Sequence, residues 1–297
     1  MTMINNHYIN IKMIEIKEED INLFWMVNKK KDNDGNNRIR EQIIYDILSN
    51  NINEEWYQNN KWNTIRTGLL RTLIETEKET DNYRIELKGG RNYNYDFIIK
   101  YNENDIRKIE FKYNCSSIDK YPQFLSISSN NFIEDEGYAS YFYDNYLNKI
   151  GLLINISIPS KSDYLKYIHS NNYNTLSIFK EFKEQEKNLK FKEEKKRIVS
   201  ESISKYLNTK IKLNINEINK YFKEKEKDKY YLLYKNEKCK IDYIKDEELE
   251  VVEIKEIKNN NTLILTTKSS SYISMLLRWK NHLGVLYPAW QISLMRR

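Results

Sequence analysis

The sequence predicts a mixed α/β (α+β) protein whose core runs helix, three strands, helix, strand, followed by a C-terminal α+β module. Apolar residues recur at helical spacing in residues 38–48. Hydrophobic and polar residues alternate in residues 107–113, as expected of a strand. Residues 151–158 form a continuous apolar run, which is typical of a strand buried on both faces.

The other core elements follow from the same patterns. In chain order they are a helical pair over residues 52–78, a strand over residues 83–88, a strand over residues 95–100 that a polar turn joins to the next, and a helix over residues 137–150. Pro159 ends the last strand of this core.

Pro159 and the polar residues after it mark a predicted boundary between a core domain, residues 1–160, and a lysine-rich module, residues 161–297. The predicted elements of the module are a charged helix over 178–197, a hairpin of strands 230–234 and 239–244, strands over 248–257 and 262–267, a helix over 271–283 that Gly284 ends, and an edge strand over 285–293 that contains Pro288.

Composition narrows the class of protein. The 297-residue chain carries a net charge of +6, which suits a polyanionic partner such as nucleic acid. The two cysteines and three histidines are scattered, so neither a zinc site nor a Cys/His nucleophile pair is expected. No run approaches the roughly 20 apolar residues that a bilayer span requires. We therefore expect a soluble, intracellular protein without a membrane partner.

One pair of strands can bring two carboxylates and a lysine together. On the second strand of the pair, Glu110 and Lys112 share the face opposite Ile109 and Phe111, and Asp96 lies on the preceding strand. If the strands pair as a hairpin, the three charged side chains converge. A hard divalent cation prefers such oxygen ligands, and an ammonium group beside them can orient or polarise a water molecule. Alternatively, the charged face of the second strand simply meets solvent.

Asp96 followed by the triplet Glu110-Phe111-Lys112 resembles the motif of the PD-(D/E)xK superfamily, the restriction-endonuclease-like nucleases. Tyr95 stands in place of the proline that names the motif, a departure that the superfamily itself often shows. The resemblance covers about the first 160 residues and implies a restriction-endonuclease-like αβββαβ core. It also implies that Asp96, Glu110 and the Phe111 carbonyl hold Mg²⁺ or Mn²⁺, while Lys112 assists attack by water.

Two further residues match the superfamily by position. Nucleases of this type often carry an acid on the first helix, where this chain has Glu41, and that acid is a further candidate metal ligand. Some branches carry a glutamine beyond the triplet, where this chain has Gln123, a candidate contact to phosphate. Each also fits a plain structural role, Glu41 as a surface acid and Gln123 as part of a loop that caps a strand.

Basic and aromatic residues alternate near the C-terminus, at Arg278, Trp279 and Lys280. This pattern suits neutralisation of phosphates combined with stacking of bases, so the three residues form a candidate nucleic-acid-binding group. The alternative is that Trp279 packs in the core and that the two basic residues lie at its rim.

These features predict a metal-dependent phosphodiesterase that cleaves nucleic acid. A DNA endonuclease is the first choice because the C-terminal module resembles an added recognition domain, and an RNA endonuclease is the alternative enzyme. Two other hypotheses are a nuclease-like protein that binds or scaffolds nucleic acid without catalysis, and a protein in which the triplet is coincidental. A homodimer would suit cleavage of both DNA strands, although no heptad pattern indicates one.

Overall fold

The computed structural model describes residues 13–26, 33–74, 83–88, 93–101, 105–120, 124–127, 132–134, 137–168, 170, 172–282 and 285–296. The helices are α1 (Ile21–Trp25), α2 (Asn33–Leu48), α3 (Asn60–Leu73), α4 (Tyr138–Phe142), α5 (Asn148–Leu153), α6 (Lys161–Tyr167), α7 (Ser177–Glu184), α8 (Leu189–Thr209), α9 (Ile215–Glu226) and α10 (Asp246–Leu249). A π-helical turn, Tyr143–Leu147, joins α4 to α5.

The strands are β1 (Arg84–Leu87), β2 (Phe97–Lys100), β3 (Ile106–Tyr113), β4 (Phe124–Ile127), β5 (Lys229–Lys235), β6 (Lys238–Asp242), β7 (Val251–Lys258), β8 (Thr262–Thr267), β9 (Tyr272–His282) and β10 (Val285–Met295). They form two sheets of five strands, so the mixed α+β class predicted from the sequence is confirmed. Within the described residues, no helix is both long enough and apolar enough to cross a membrane.

The chain divides into two compact units. The first comprises Met1–Lys120 and Lys225–Ile244, and the second comprises Tyr121–Glu224 and Lys245–Arg297. This division differs from the predicted boundary at residue 160. The reason is that β5 pairs in parallel with β3, so the predicted hairpin of β5 and β6 completes the first sheet instead of belonging to a C-terminal module.

The sheet of the first unit has the strand order β1-β2-β3-β5-β6. The β1–β2, β2–β3 and β5–β6 pairs are antiparallel, and the β3–β5 pair is parallel. The predicted pairing of the strands that carry Asp96 and the triplet is therefore present. It begins at Phe97, which lies opposite Ile109.

One face of this sheet carries the hydrophobic core of the first unit. The helical spacing of apolar residues buries one side of α2 and α3 against it, because residues three and four positions apart share a helix face. The buried side chains include Ile43, Ile44 and Ile47 of α2, Trp62, Ile65 and Leu69 of α3, and Phe97, Ile99, Ile109 and Phe111 of the strands. Glu110 and Lys112 alternate with Ile109 and Phe111 and so lie on the opposite face.

The sheet of the second unit is antiparallel, in the order β4-β10-β9-β8-β7. Alternate residues of β9, namely Ile273, Met275 and Leu277, are buried on its inner face. Aromatic side chains of the helices complete the core of this unit, and the Tyr138 ring lies 5.3 Å from the Tyr206 ring. The second unit therefore has its own hydrophobic core.

The predicted strand over residues 151–158 is absent, because residues 148–153 form α5. Leu152 and Leu153 are exposed, at 74% and 45%, so the apolar run does not mark a buried strand. The helix ends where Asn155 adopts a left-handed conformation with φ of 52°, and the Ile156 amide donates to the Gly151 carbonyl across that turn (3.0 Å). Asparagine tolerates this conformation and commonly ends a helix in this way.

The predicted helix over residues 271–283 is also wrong, since β9 occupies this segment. Its burial has a period of two, and eleven of its residues pair with β10. The predicted edge position of the last strand is wrong as well, because β10 lies between β4 and β9. Pro288 fits there because the pairing with β4 covers only Trp290 to Ile292, so the proline lies beyond the β4 ladder.

Gly151 gives a test of the turn that replaces the predicted strand. A Cβ atom at this position would lie 2.8 Å from the Ile156 carbonyl oxygen, which is a backbone atom and cannot move aside easily. We expect Gly151→Ala to lower the free energy of unfolding by about 1–3 kcal/mol, measured by urea denaturation. The control is Gly35→Ala in α2, where nothing lies within 4 Å and alanine favours the helix. Equal or greater stability of Gly151→Ala would contradict the turn.

Candidate active site

The β2–β3 pairing places Asp96 beside the triplet of β3. The Asp96 amide donates to the Ile109 carbonyl (2.8 Å), which extends the ladder by one residue beyond β2. The Phe111 amide then donates to Asp96 Oδ2 (2.8 Å), so the carboxylate accepts the backbone donor that the end of β2 leaves without a strand partner. Backbone and side chain of Asp96 are therefore both fixed against β3.

The Phe111 carbonyl faces the same side. In a strand, the N–H and C=O of one residue point toward the same neighbouring strand. Because the Phe111 amide points at Asp96, the Phe111 carbonyl oxygen also projects to the Asp96 side of β3. The backbone thus offers an oxygen on the side where the Asp96 carboxylate lies.

Two lysines neutralise the Glu110 carboxylate. Lys112, two residues along the same face of β3, forms an ion pair with Glu110 Oε1. Lys229, at the start of β5, approaches Glu110 Oε2 with its Nζ at 3.4 Å. In the parallel register Lys229 lies opposite Lys108 and diagonally from Glu110, a separation that long side chains span. Glu110 is therefore held from both sides.

The lysine from β5 has a second buried partner. Lys229 Nζ lies 3.3 Å from Glu226 Oε1 at the end of α9, and the Tyr231 hydroxyl donates to Glu226 Oε2 (2.7 Å). Burial raises the pKa of Glu226 to about 7, against the opposing charge of Lys229. Charges of alternating sign thus extend from Lys112 through Glu110 and Lys229 to Glu226.

Glu41 of α2 lies within electrostatic reach of the carboxylates. Burial, and then the charges of Asp96 and Glu110, raise the pKa of Glu41 to about 9. Burial and then the charge of Glu110 raise the pKa of Asp96 to about 7, although the hydrogen bond from the Phe111 amide opposes that shift. The three acids that the sequence named as candidate ligands therefore interact, and burial together with their mutual repulsion favours protonation of Glu41 and Asp96.

The pKa of Lys112 is also raised, which for a lysine favours the charged form. Burial acts to lower it, but the charge of Glu110 and the ion pair with it outweigh burial, so the net shift is upward. The Lys112 side chain therefore stays a cation at neutral pH. In the part of the chain that the structure describes, no group of three or more His, Cys, Asp or Glu side chains has the geometry of a metal site.

Comparison with known proteins yields no match to a family model, a curated protein or a solved structure. A functional interpretation therefore depends on the chemistry of the residues themselves. The carboxylate oxygens of Asp96, Glu110 and Glu41 and the Phe111 carbonyl are hard donors of the kind that Mg²⁺ and Mn²⁺ accept. In residue type, the site fits a divalent cation.

The candidate nucleic-acid-binding group of β9 is divided between two faces of the second sheet. Trp279 points inward, where its Nε1 donates to the Tyr138 hydroxyl (3.1 Å) and its ring centroid lies 4.7 Å from that of Phe142. Arg278 is exposed on the outer face, and Lys280 is partly buried on the same face. Burial and then the charge of Arg278 lower the pKa of Lys280. Gln123 lies outside the described residues.

Sequence patterns missed Lys229, Glu226 and Tyr231. Lys229 directly precedes the apolar run of β5, where it looks like an ordinary charge at the start of a strand. Only the parallel pairing with β3 brings it to Glu110, and no local pattern specifies that pairing. A signal did exist in the spacing of Glu226, Lys229 and Tyr231, which alternate acid, base and hydroxyl over six residues.

The raised pKa of Glu41 makes a pH dependence testable. The pKa of Glu41 rises from its ordinary value of 4.5 to about 9 in the folded protein. Between these two pH values the folded protein holds a proton that the unfolded chain has released, so stability falls as the pH rises through this interval. We expect Glu41→Gln to be more stable than wild type by on the order of 1 kcal/mol or more at pH 9, and nearly equal to it at pH 4.5.

The measurement is urea denaturation in EDTA at both pH values. The same substitution at Glu54, whose side chain is 75% exposed, is the control for replacing a glutamate carboxyl by an amide outside the site. A Glu41→Gln effect that is the same at pH 4.5 and pH 9 would show that Glu41 is not a buried, repelled carboxyl.

The inward position of Trp279 predicts a structural role. We expect Trp279→Ala to lower the free energy of unfolding by about 3 kcal/mol, because it removes a large side chain and the partner of the Tyr138 hydroxyl. Arg278→Ala, at the exposed neighbouring position, should change it by less than about 0.5 kcal/mol. Thermal and urea denaturation measure both. Wild-type stability of Trp279→Ala together with weaker binding of nucleic acid would instead place the indole in a binding surface.

Proposed function

We propose that this protein is a metal-dependent phosphodiesterase that cleaves nucleic acid, with DNA as the first substrate and RNA as the alternative. The observation that carries the proposal is the position of Asp96. Its carboxylate accepts the amide of the residue between Glu110 and Lys112, so both acids and the lysine of the resemblance lie at one place on the sheet.

The arrangement of the first sheet supports the same proposal. Two antiparallel pairs are followed by a strand parallel to β3, which is in keeping with the αβββαβ order of the restriction-endonuclease-like nucleases. In this interpretation β5 takes the place of the final strand, instead of the residues 151–158 that the sequence suggested. This assignment leaves Glu110 and Lys112 on β3, the central strand of the sheet.

The cation would be held by Asp96, Glu110 and the Phe111 carbonyl, with Glu41 as a further ligand. Mg²⁺ or Mn²⁺ in such a site lowers the pKa of a bound water and neutralises charge that develops on the phosphoryl oxygens. Because burial and the neighbouring charges favour the protonated forms of Glu41 and Asp96, a cation would bind there in place of their protons.

The role of Lys112 follows from its charge. A lysine whose pKa is raised remains an ammonium ion at neutral pH and cannot remove a proton from water. Its Nζ would instead stabilise negative charge on the phosphoryl group or hold the attacking water by donating to it. The Lys112 side chain is 19% exposed, whereas the Lys229 side chain is fully enclosed.

A second candidate function is nucleic-acid binding without catalysis. The observation that favours it is that both oxygens of Glu110 have ammonium partners, Lys112 and Lys229, so the carboxylate is already neutralised. A protein of this kind would bind nucleic acid with a steep dependence on salt and show no turnover with metal.

A cleavage assay separates the two functions. Wild type is incubated with plasmid DNA, a DNA oligonucleotide and an RNA oligonucleotide in Mg²⁺, Mn²⁺ or EDTA. We expect metal-dependent cleavage that Asp96→Asn reduces by roughly 100-fold or more, because the stabilisation lost is several kcal/mol. The matched control is Glu86→Gln on β1, an acid of the same sheet that pairs with Lys88 and Lys100.

Glu86→Gln should retain wild-type cleavage, which excludes a general effect of removing negative charge from this sheet. Wild-type protein that is inert toward DNA and RNA with every metal, but binds either one with salt-sensitive affinity, would refute the phosphodiesterase and support the binding function.

A further inference from the structure

We propose that Lys229 is a positioning residue for Glu110. Its ammonium group holds Glu110 Oε2 and leaves Oε1 on the side of the site where Lys112 lies. This role rests on the proposed function, in which Glu110 is a ligand of the cation. Lys229 lies on β5, outside the motif of Asp96 and the triplet Glu110-Phe111-Lys112.

The two lysines beside Glu110 differ in their freedom to move. The Lys112 side chain is 19% exposed, whereas the Lys229 side chain is 0% exposed. An ammonium group that is fully enclosed cannot leave its partner without opening the protein around it. The Lys112 contact is therefore the one that a cation would displace, while Lys229 would keep Glu110 in place.

Lys229 is itself fixed by two buried groups. Glu226, whose side chain is 1% exposed, lies 3.3 Å from its Nζ, and the Tyr231 ring centroid lies 4.9 Å from it. The Tyr231 hydroxyl in turn donates to Glu226 (2.7 Å), so the orientation of the acid is set as well. Groups of this kind behind a metal-ligating carboxylate orient it, and their loss typically weakens metal binding by roughly 10–100-fold.

Electrostatic repulsion alone predicts the opposite change in metal affinity when Lys229 is removed. A lysine 3.4 Å from a ligand oxygen repels a divalent cation, so its removal should strengthen metal binding if its only effect is electrostatic. Orientation and repulsion therefore make opposite predictions for the same substitution. The direction of the change in metal affinity separates a positioning residue from a mere counter-charge.

The test uses two variants, because Lys229→Met alone would leave the buried Glu226 without its positively charged partner and endanger folding. One variant is Glu226→Gln, which keeps Lys229 beside Glu110. The other is Glu226→Gln combined with Lys229→Met, which removes both charges together. Circular dichroism checks the fold of each, and the shift in melting temperature is then measured against MnCl₂ concentration.

We expect the Mn²⁺ concentration for half-maximal stabilisation to be at least about tenfold higher in the double variant than in Glu226→Gln. With a DNA oligonucleotide, kcat at saturating Mn²⁺ should fall, while KM for the oligonucleotide stays the same, since Lys229 is enclosed and does not meet substrate.

Equal or lower Mn²⁺ midpoints in the double variant would overturn the positioning role and leave the phosphodiesterase intact. Wild-type protein that Mn²⁺ does not stabilise and that cleaves nothing would overturn the proposed function, and the role of Lys229 with it. The two failures are therefore distinguishable in the same set of titrations.

Discussion

Buried negative charge is the constraint on which the first unit depends. Glu110 and Glu226 lie close together with little access to water, and an uncompensated carboxylate in such surroundings costs several kcal/mol. Lys229 lies between them, and Lys112 completes the compensation on the other side of Glu110. These ion pairs connect β3 to the segment that runs from the end of α9 into β5.

The residues of the site come together through two strand pairings, one between segments close in sequence and one between segments far apart in sequence. Asp96, Glu110 and Lys112 come together through one antiparallel pairing, which connects segments close in sequence. Lys229 reaches Glu110 only when β5 pairs with β3, after the chain has passed through the long segment Tyr121–Glu224 of the second unit. Pairing between segments so far apart in sequence carries a larger entropic cost of loop closure. The ion pair between Lys229 and Glu110 therefore helps to stabilise this pairing against that cost.

The local part is what the sequence could predict. Alternation assigned Ile109 and Phe111 to the core and Glu110 to the opposite face, and spacing assigned Ile43, Ile44 and Ile47 to the buried side of α2. The errors arose where composition is ambiguous between helix and strand. The segment that became β9 has apolar residues that fit either period, and its pairing with β10 along eleven residues decided the outcome. Residues 151–158 were apolar enough for a buried strand, but the left-handed Asn155 ended a helix there instead.

The position of Lys112 connects metal binding to its proposed work on the phosphate. Its ammonium group forms an ion pair with Glu110 Oε1. A divalent cation held by Glu110, as proposed, would repel the ammonium group and weaken this ion pair. The freed Nζ would then find its next partner in the negative phosphoryl oxygens that the cation also attracts. Under the proposed function, Glu110 would therefore act on Lys112 in two ways: it would neutralise the lysine without a cation and would release it toward the phosphate with one.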